Sequence, residues 1–312
     1  MLELLLLLWI VTAVVIIWEK RIIKMVLWLA LSSFLGSVIF LFLGSPDVAM
    51  AEAAISAFST IFFVVCLEKY LGIKENENLN EEVNERSKVR FIVPAIFTIA
   101  LAGLFIYFSP VVDFNTYLKD LYIQRAGTDV GGDNVIGAIY LGYRVYDTLF
   151  EALMLVVSVV AVIHMSEFAQ ESVKDGKHSE IEKDGVAIFL MRIVAPVTVL
   201  FGLYVIANGF LTAGGGFQGG LAVAAFFVCR YMVYNIYDID MHRVGKMEEM
   251  VFAGITIMAT MIVFQGSMNY VPAQYLPLVQ TVYLILMNFL IGMKVACGFL
   301  ILFYRYIAME RN

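Results

Sequence analysis

Four carboxylates lie inside segments of this sequence that are otherwise apolar. Asp47 and Glu52 belong to GSPDVAMAEAAIS, and Asp147 and Glu151 belong to YRVYDTLFEAL. An ionisable side chain inside a membrane-spanning helix costs roughly 2.5–3.5 kcal/mol on insertion scales, and such side chains typically mark ion or proton pathways. We therefore predict that these carboxylates bind and release H⁺ or Na⁺.

The first two carboxylates also have a structural interpretation. Asp47 follows Pro46 in the first turn of a predicted helix, where the missing N–H of proline costs nothing and the helix dipole favours an anion. Glu52 lies more than a turn further along, among alanines that let another helix approach closely. A helix-start carboxylate at Asp47 and a purely structural hydrogen bond at Glu52 are the alternatives to an ion pathway.

The second two carboxylates are four residues apart, so they share one face of a helix. Such a pair titrates as a unit, with one proton held more tightly, and a shared H⁺ or Na⁺ would relieve its repulsion. Arg144 stands three residues before Asp147. A salt bridge between them near the membrane surface is the alternative for Asp147.

Two basic side chains occur in apolar segments as well. Lys294 lies in NFLIGMKVACGFL and has three possible interpretations: it binds and releases a proton, it pairs with a carboxylate, or its side chain extends towards the membrane interface. His164 is a candidate proton relay or a simple interfacial histidine. The chain has three histidines, and because only His164 falls in a predicted span, a haem with two axial histidines within this chain is not expected.

The stretch NGFLTAGGGFQGGLAVAAFF (208–227) raises the question of phosphate binding. No lysine follows its glycines and no strand precedes them, so neither the phosphate-loop nor the dinucleotide pattern applies. Glycine also permits positive φ and close backbone approach. We predict that Gly214, Gly215 and Gly216 form a turn, and that Gly219 and Gly220 let the next helix pack closely. A direct part in an ion pathway is the alternative.

The composition identifies lipid as the solvent of this chain. Of its 312 residues, 61% are hydrophobic and 15% charged, with a mean hydropathy of +0.85, against about 45–50% and about 25% in soluble domains. The three cysteines stand singly in apolar runs, which argues against a zinc site, an iron–sulfur site or a disulfide framework. The first apolar run lacks the basic start and the cleavage site of a signal peptide.

Apolar segments long enough to span a membrane predict an all-α polytopic fold with about nine transmembrane helices. Fifteen Lys and Arg residues follow the odd-numbered spans, whereas the even-numbered exits hold Lys119 and Arg125, with Arg144 beyond them. Because basic residues gather on the cytoplasmic side, we predict the N-terminus outside and the C-terminus in the cytoplasm. The predicted spans are 2–18, 25–43, 48–67, 91–109, 144–165, 187–208, 217–237, 250–268 and 280–304.

Two charged linkers, 72–90 and 167–186, divide the chain into three blocks. We predict three helices in 1–71, two helices in 91–166 and four helices in 187–312. Between the two helices of the middle block, the spacing of apolar residues from Tyr117 to Tyr122 predicts a short helix along the outer membrane surface.

The glycine-rich stretch resembles the PGGGF-x-GG signature of the B-type component of Mrp-type multisubunit cation/proton antiporters, whose relatives occur in membrane-bound hydrogenases and sulfur-reducing complexes. Residues 187–304 would correspond to that component, the F-type subunit of the hydrogenase. Ala213 replaces the usual proline, and Asn208 stands near a frequent histidine.

The other two blocks are similar to the C-terminal part of the large A-type antiporter component, which corresponds to the D- and E-type subunits of the hydrogenase. GSPDVAMAEAAIS resembles the PDVALTE motif, and YRVYDTLFEAL resembles FRGFDTLGE, with Gly142 and Phe150 as departures. The resemblance implies cation or proton transfer by Glu52, Asp147 and Glu151.

These observations predict a subunit of an ion-translocating module in the inner (cytoplasmic) membrane of the cell. It would catalyse no reaction alone, bind no cofactor or metal itself, contact no nucleic acid, and carry Na⁺ or H⁺. Its expected partners are other Mrp-type antiporter subunits and hydrogenase- or sulfur-reductase-like iron–sulfur subunits of a respiratory complex. A subunit of a stand-alone antiporter, a structural membrane spacer and a self-sufficient transporter are the alternatives.

Overall fold

A computed structural model describes most of the chain, and all secondary structure in the described part is helical. This agrees with the predicted all-α class. The linker 72–90, most of the linker 167–186 and part of the predicted span 91–109 lie outside the described residues. The structure describes residues 1–71, 96–104, 107, 116–170, 185–234, 239–268, 272 and 275–308.

The helices follow the apolar segments of the sequence closely, and residues 96–104 are helical as well. A π-helical turn, Ile139–Tyr143, separates α5 from α6. The α-helices are α1 (Leu2–Trp18), α2 (Ile22–Phe42), α3 (Pro46–Leu71), α4 (Tyr117–Asp129), α5 (Val135–Ala138), α6 (Val145–Gln170), α7 (Gly185–Asn208), α8 (Gly216–Tyr234), α9 (Met241–Met268) and α10 (Leu276–Ala308).

Six of these helices, α2, α3, α6, α7, α9 and α10, are long and apolar enough to cross a membrane, and α1 is a shorter apolar helix of 17 residues. Helix α9 begins at Met241, nine residues before the predicted span start at 250, whereas α10 begins at Leu276, only four residues before the predicted start at 280. The charged stretch HRVGKMEE contains good helix formers, so the helix extends beyond the apolar core of the span.

Helix α10 is the centre of the bundle. Its apolar window is 61% buried, compared with 11–22% for the other five candidate spans. It packs against α6, α7, α8 and α9, while α3 contacts α8 and α1 contacts α2. The first block therefore joins the last one through α3 and α8, and the middle block joins it through α6 and α10.

The π-helical turn ends the helical run that Asn134 caps. The Arg144 N–H donates to the Ile139 carbonyl, five residues back, at 2.8 Å. Carbonyls left without a helical partner are bound by side chains, since the hydroxyl of Thr148 donates to Tyr140 and that of Tyr283 donates to Leu141. Turns of this kind are frequent at functional sites, and this one ends four residues before Asp147.

Candidate functional site

Asp47 is buried, with 8% of its surface exposed, at the start of α3. Its Oδ1 accepts hydrogen bonds from Asn134 Nδ2 and from the Gly214 N–H, both at 3.0 Å. Both donors lie in other blocks of the sequence. The carboxylate therefore ties the first block to the start of α5 and to the glycine turn.

Asn134 is the centre of this connection and is itself buried. Its Oδ1 caps α5 by accepting from the Ile136 and Gly137 N–H groups at 3.1 and 3.2 Å. Its Nδ2 lies 3.0 Å from the Gly209 carbonyl, in addition to its contact with Asp47. One amide side chain thus satisfies a helix N-terminus, a loop carbonyl and a carboxylate.

The glycine turn lies where backbones approach too closely for side chains. Gly214 has φ +131°, a conformation that disfavours other residues. A Cβ on Gly215 would overlap the Tyr140 hydroxyl, and one on Gly216 would overlap the Asn288 carbonyl. Gly219 and Gly220 lie in the same way against the backbones of α7 and α10, at Gly202 and Gly292.

Tyr140, which is partly buried, and Asn288 form a polar contact beside this turn. The Tyr140 hydroxyl donates to Asn288 Oδ1 at 3.3 Å, and the Gly216 N–H donates to the same oxygen at 3.1 Å. Asn288 is fully buried, and Tyr140 lies within electrostatic range of both Asp47 and Glu151. The sequence analysis did not identify either residue, although an asparagine inside the apolar run LILMNFLIG was a detectable signal.

Glu52 is half-buried between α2 and α3. Its Oε1 accepts a hydrogen bond from the Ser33 hydroxyl, and one turn away Ser37 donates to the Ala49 carbonyl at 2.7 Å. Ala49 is only 1% exposed, so the two helices pack closely at this level. The glutamate is held by a neutral hydroxyl, which can donate to it or accept from it as its protonation changes.

Asp147 and Glu151 lie on an exposed face of α6. Arg144 and Asp147 form an ion pair in which 61% and 55% of the two side chains are exposed. Glu151, one turn further, is exposed as well, as are its neighbours Phe150 and Met154. The structure thus brings Arg144 and Asp147 together and leaves both carboxylates open to a neighbouring molecule.

At the outer end of the π-helical turn, Tyr143 donates a hydrogen bond to Asp129 Oδ2 at 3.0 Å. Burial, together with this bond, raises the pKa of Tyr143 to about 12. The hydrogen bond holds the end of α4 beside the residues that precede α6.

Lys294 is buried in the middle of α10, with 1% of its side chain exposed, and pairs with Glu248 of α9, which is 5% exposed. Its Nζ also lies 5.6 Å from the centre of the Phe252 ring. Sequence analysis allowed for a carboxylate partner but did not identify Glu248. That residue precedes the predicted span 250–268, which began too late.

His164 is exposed near the Gln170 end of α6. It lies 17 residues from Asp147, which is about 25 Å along a helix. In the described part of the chain, no cluster of three or more His, Cys, Asp or Glu side chains could hold a metal ion.

Two family models match separate parts of the chain. Residues 7–71 match MbhD, the D-type subunit of MBH, and residues 186–301 match MnhB, a domain related to the MnhB subunit of Na⁺/H⁺ antiporters. The first match covers α1 to α3, with Asp47 and Glu52. The second covers α7 to α9 and most of α10, with the glycine turn and Lys294.

Curated relatives include larger antiporter subunits. A probable K⁺/H⁺ antiporter A/B subunit of Rhizobium meliloti is 23% identical over 219 residues, which are 62% of this chain and 22% of the relative. A putative antiporter subunit mnhA2 of Staphylococcus aureus is 23% identical over 161 residues, 51% of this chain and 19% of the relative. The chain thus spans about a fifth of the length of these relatives.

Solved structures share the fold. A chain of the Mrp complex from Dietzia sp. DQ12-45-1b superposes with a TM-score of 0.65 and 18% identity, over 95% of this chain and 34% of that one. A chain of an archaeal membrane-bound sulfane sulfur reductase gives a TM-score of 0.52 and 23% identity, over 67% of this chain and 95% of that one.

These matches agree with the motifs seen in the sequence, and they fall on its two ends, the MbhD match first and the MnhB match second. Residues 7–71 are thus similar to an MbhD-type domain and residues 186–301 to an MnhB-type domain, which together support a fusion of the kind found in Mrp-type antiporter modules.

Proposed function

We propose that the chain is a non-redox membrane subunit that lines a Na⁺ or H⁺ path in an Mrp-type ion-translocating module. It crosses the inner membrane of the cell nine times, with its N-terminus outside and its C-terminus in the cytoplasm. It binds and passes the ion but carries out no redox chemistry itself. Partner subunits supply the rest of the path.

The observation that carries this proposal is the outward exposure of the acids of α6. Asp147 and Glu151 lie in an apolar helix, yet most of the Asp147 side chain is exposed and Glu151 is exposed as well. A carboxylate facing lipid is costly, so such residues usually face other protein or a water-filled cavity. This arrangement supports a path that is completed when a neighbouring subunit packs against α6.

Glu52 is the second station of the proposed path. It is half-buried, and its partner Ser33 is neutral, so no basic group in that bond holds it in the charged form. Tyr140 lies within electrostatic range of both Asp47 and Glu151. This hydroxyl supports a polar connection between the first and middle blocks.

The test is transport by the assembled complex in membrane vesicles, followed with a pH-sensitive dye and with Na⁺ added or omitted. Glu52→Gln and Glu151→Gln keep the size and polarity of the side chain, but a glutamine amide neither binds and releases a proton nor provides a negative charge for a cation. We expect each to lower transport at least about tenfold, as expected for loss of a proton-transfer group. Glu3→Gln, at an exposed acid in the first turn of α1, is the matched control. Normal transport in both variants would contradict the relay and favour a structural spacer.

We infer further that this module belongs to a redox-driven respiratory complex. Support comes from the fold shared with a chain of the archaeal sulfane sulfur reductase, 95% of which the present chain covers. Purification of the tagged chain in a mild detergent, with mass spectrometry of its partners, tests this. Iron–sulfur subunits among the partners would support the inference. Antiporter-type membrane subunits alone would instead make it part of a stand-alone cation/proton antiporter, as the names of the curated relatives suggest.

A further inference from the structure

The ion pair of Glu248 and Lys294 is separate from the acids of the proposed path. It joins α9 to α10, and both side chains are almost completely buried. Phe252, one turn after Glu248, places its ring beside the Lys294 ammonium. The pair therefore lies in a narrow apolar contact between two long helices.

Stability alone does not explain a charge pair at this place. Removing two charges from water costs several kcal/mol for each ion, and a well-packed apolar pair is often as stable or more so. Close to the pair, α9 contributes the buried side chains of Val251 and Ile255, and α10 contributes Val295. Leucine or methionine at both positions would continue this apolar surface.

The same surroundings make the pair suitable for exchanging a proton. In an apolar environment, an ion pair and the corresponding neutral pair lie much closer in free energy than they do in water. Moving one proton from Lys294 Nζ to Glu248 Oε1 gives an amine and a carboxylic acid and removes both charges. Cys297, one turn along α10, is a further titratable group within electrostatic range of Lys294.

Access to the pair is possible from one end. Glu248 lies two turns after the start of α9 at Met241, and the exposed residues His242 and Lys246 lie between them. In the other direction along the two helices, Ile255 and Met287 are fully buried. Buried apolar side chains flank the pair on both sides along α10, with Ile301 and Phe303 on one side and Met287 on the other. The start of α9 differs by its exposed ionisable groups His242 and Lys246, which can deliver protons.

We propose that Glu248 and Lys294 form a proton-exchange site inside the MnhB-type domain, loaded from the Met241 end of α9. An incoming proton binds Glu248 and leaves Lys294 as an unpaired ammonium. Loss of the carboxyl proton then restores the ion pair, and loss of the ammonium proton gives the neutral pair. Only O–H and N–H bonds form or break. The role in transport rests on the function proposed above, although the site uses none of Glu52, Asp147 or Glu151.

The test compares variants in the assembled complex, with the same vesicle assay of proton movement. Glu248→Gln removes the acid, and Glu248→Gln combined with Lys294→Gln removes both charges while keeping polar side chains. We expect the double variant, which leaves no unpaired buried charge, to assemble, and both variants to lose transport at least about tenfold. Glu249→Gln, at the adjacent exposed acid, is the matched control and should retain transport. If the pair were only structural, replacing both charges by neutral side chains would leave transport unchanged. Normal transport in the double variant would therefore overturn the proposal.

A second measurement does not depend on assembly or on transport. Infrared difference spectra of the purified full chain, recorded between high and low pH, should contain a protonated-carboxyl band that Glu248→Gln removes and Glu249→Gln retains. Identical spectra for the wild-type chain and Glu248→Gln would overturn the proposal. Glu52→Gln and Glu151→Gln, measured in parallel, separate this proposal from the proposed ion path. Normal transport in those two variants would contradict the carboxylate relay, whereas the infrared band of Glu248 would be unaffected.

Discussion

The outward face of α6 and the contact between α9 and α10 hold charge in opposite ways. On α6, more than half of each side chain in the Arg144–Asp147 pair is exposed. Between α9 and α10, Glu248 and Lys294 are 5% and 1% exposed. The first pair is accessible to another protein, and the second already has its partner within the chain.

This difference teaches which charges the chain keeps for itself and which it offers to neighbours. A buried pair is balanced internally, so its loss should be felt by the isolated chain. An exposed pair is weak by itself, so its loss should be felt when a partner binds. Variants in the two regions can therefore distinguish stability from assembly.

The largest effect on the isolated chain is expected from Lys294→Met, which leaves Glu248 buried without its cation. Breaking a buried pair from one side costs about 3–5 kcal/mol of unfolding free energy. Thermal unfolding of the purified chain in detergent measures this loss. Glu248→Leu combined with Lys294→Met should recover most of it, and a double variant no more stable than the single one would show that the contact needs its charges for packing.

A smaller effect is expected at the glycine turn, which belongs to the tightly packed region. A methyl group on Gly216 would meet the Asn288 carbonyl and the side chain of Ile291, so α8 and α10 would have to separate. We expect Gly216→Ala to cost about 1–3 kcal/mol of stability, as overpacked core substitutions do. Gly245→Ala, on α9 with open space around it, is the matched control and should cost nothing. Equal melting temperatures for both variants would contradict close packing at the turn.

Asn134→Asp tests the connection between the three blocks, and its expected loss of stability is about equal to that of Gly216→Ala or slightly smaller. Aspartate keeps the oxygen that caps α5 but loses the N–H donor to Asp47 and brings a second carboxylate to it. An unsatisfied buried group costs about 1–3 kcal/mol. A thermal melt in detergent checks the loss, and Asn134→Asp combined with Asp47→Asn should restore a donor and recover stability. No difference between the single and double variants would argue against the contact.

Sequence reasoning succeeded where a long apolar run was sufficient to determine the element. The apolar segments in α2, α3, α6 and α7 predicted membrane helices, and the structure has candidate spans there. It set the start of α9 too late, because a charged helical turn and a charged loop look alike in hydropathy. For that reason Glu248 fell outside the predicted span, and its pairing with Lys294 was missed.

Contacts between distant parts of the chain could not be predicted from the sequence either. Asn134 and Gly214 are 87 and 167 residues from Asp47, yet both donate to its carboxylate. Nothing in the local sequence of Asn134 distinguishes a residue that only caps a helix from one that also binds a carboxylate. The glycine cluster did indicate close packing, but which backbone approaches each glycine depends on the crossing of α7, α8 and α10.

The smallest effect on the isolated chain is expected from Arg144→Gln, on the outward face of α6. Exposed ion pairs contribute about 0–1 kcal/mol, so the melting temperature of the purified chain should barely change. The same substitution should weaken recovery of the partner subunits in a mild-detergent pull-down, because the Asp147 carboxylate would meet the partner without its balancing cation. Tyr146→Phe, exposed nearby and neutral, is the matched control. Normal partner recovery with a large loss of thermal stability would mean that Arg144 stabilises the fold of this chain. Both ion pairs would then act within the chain, and the contrast between the two regions would fail.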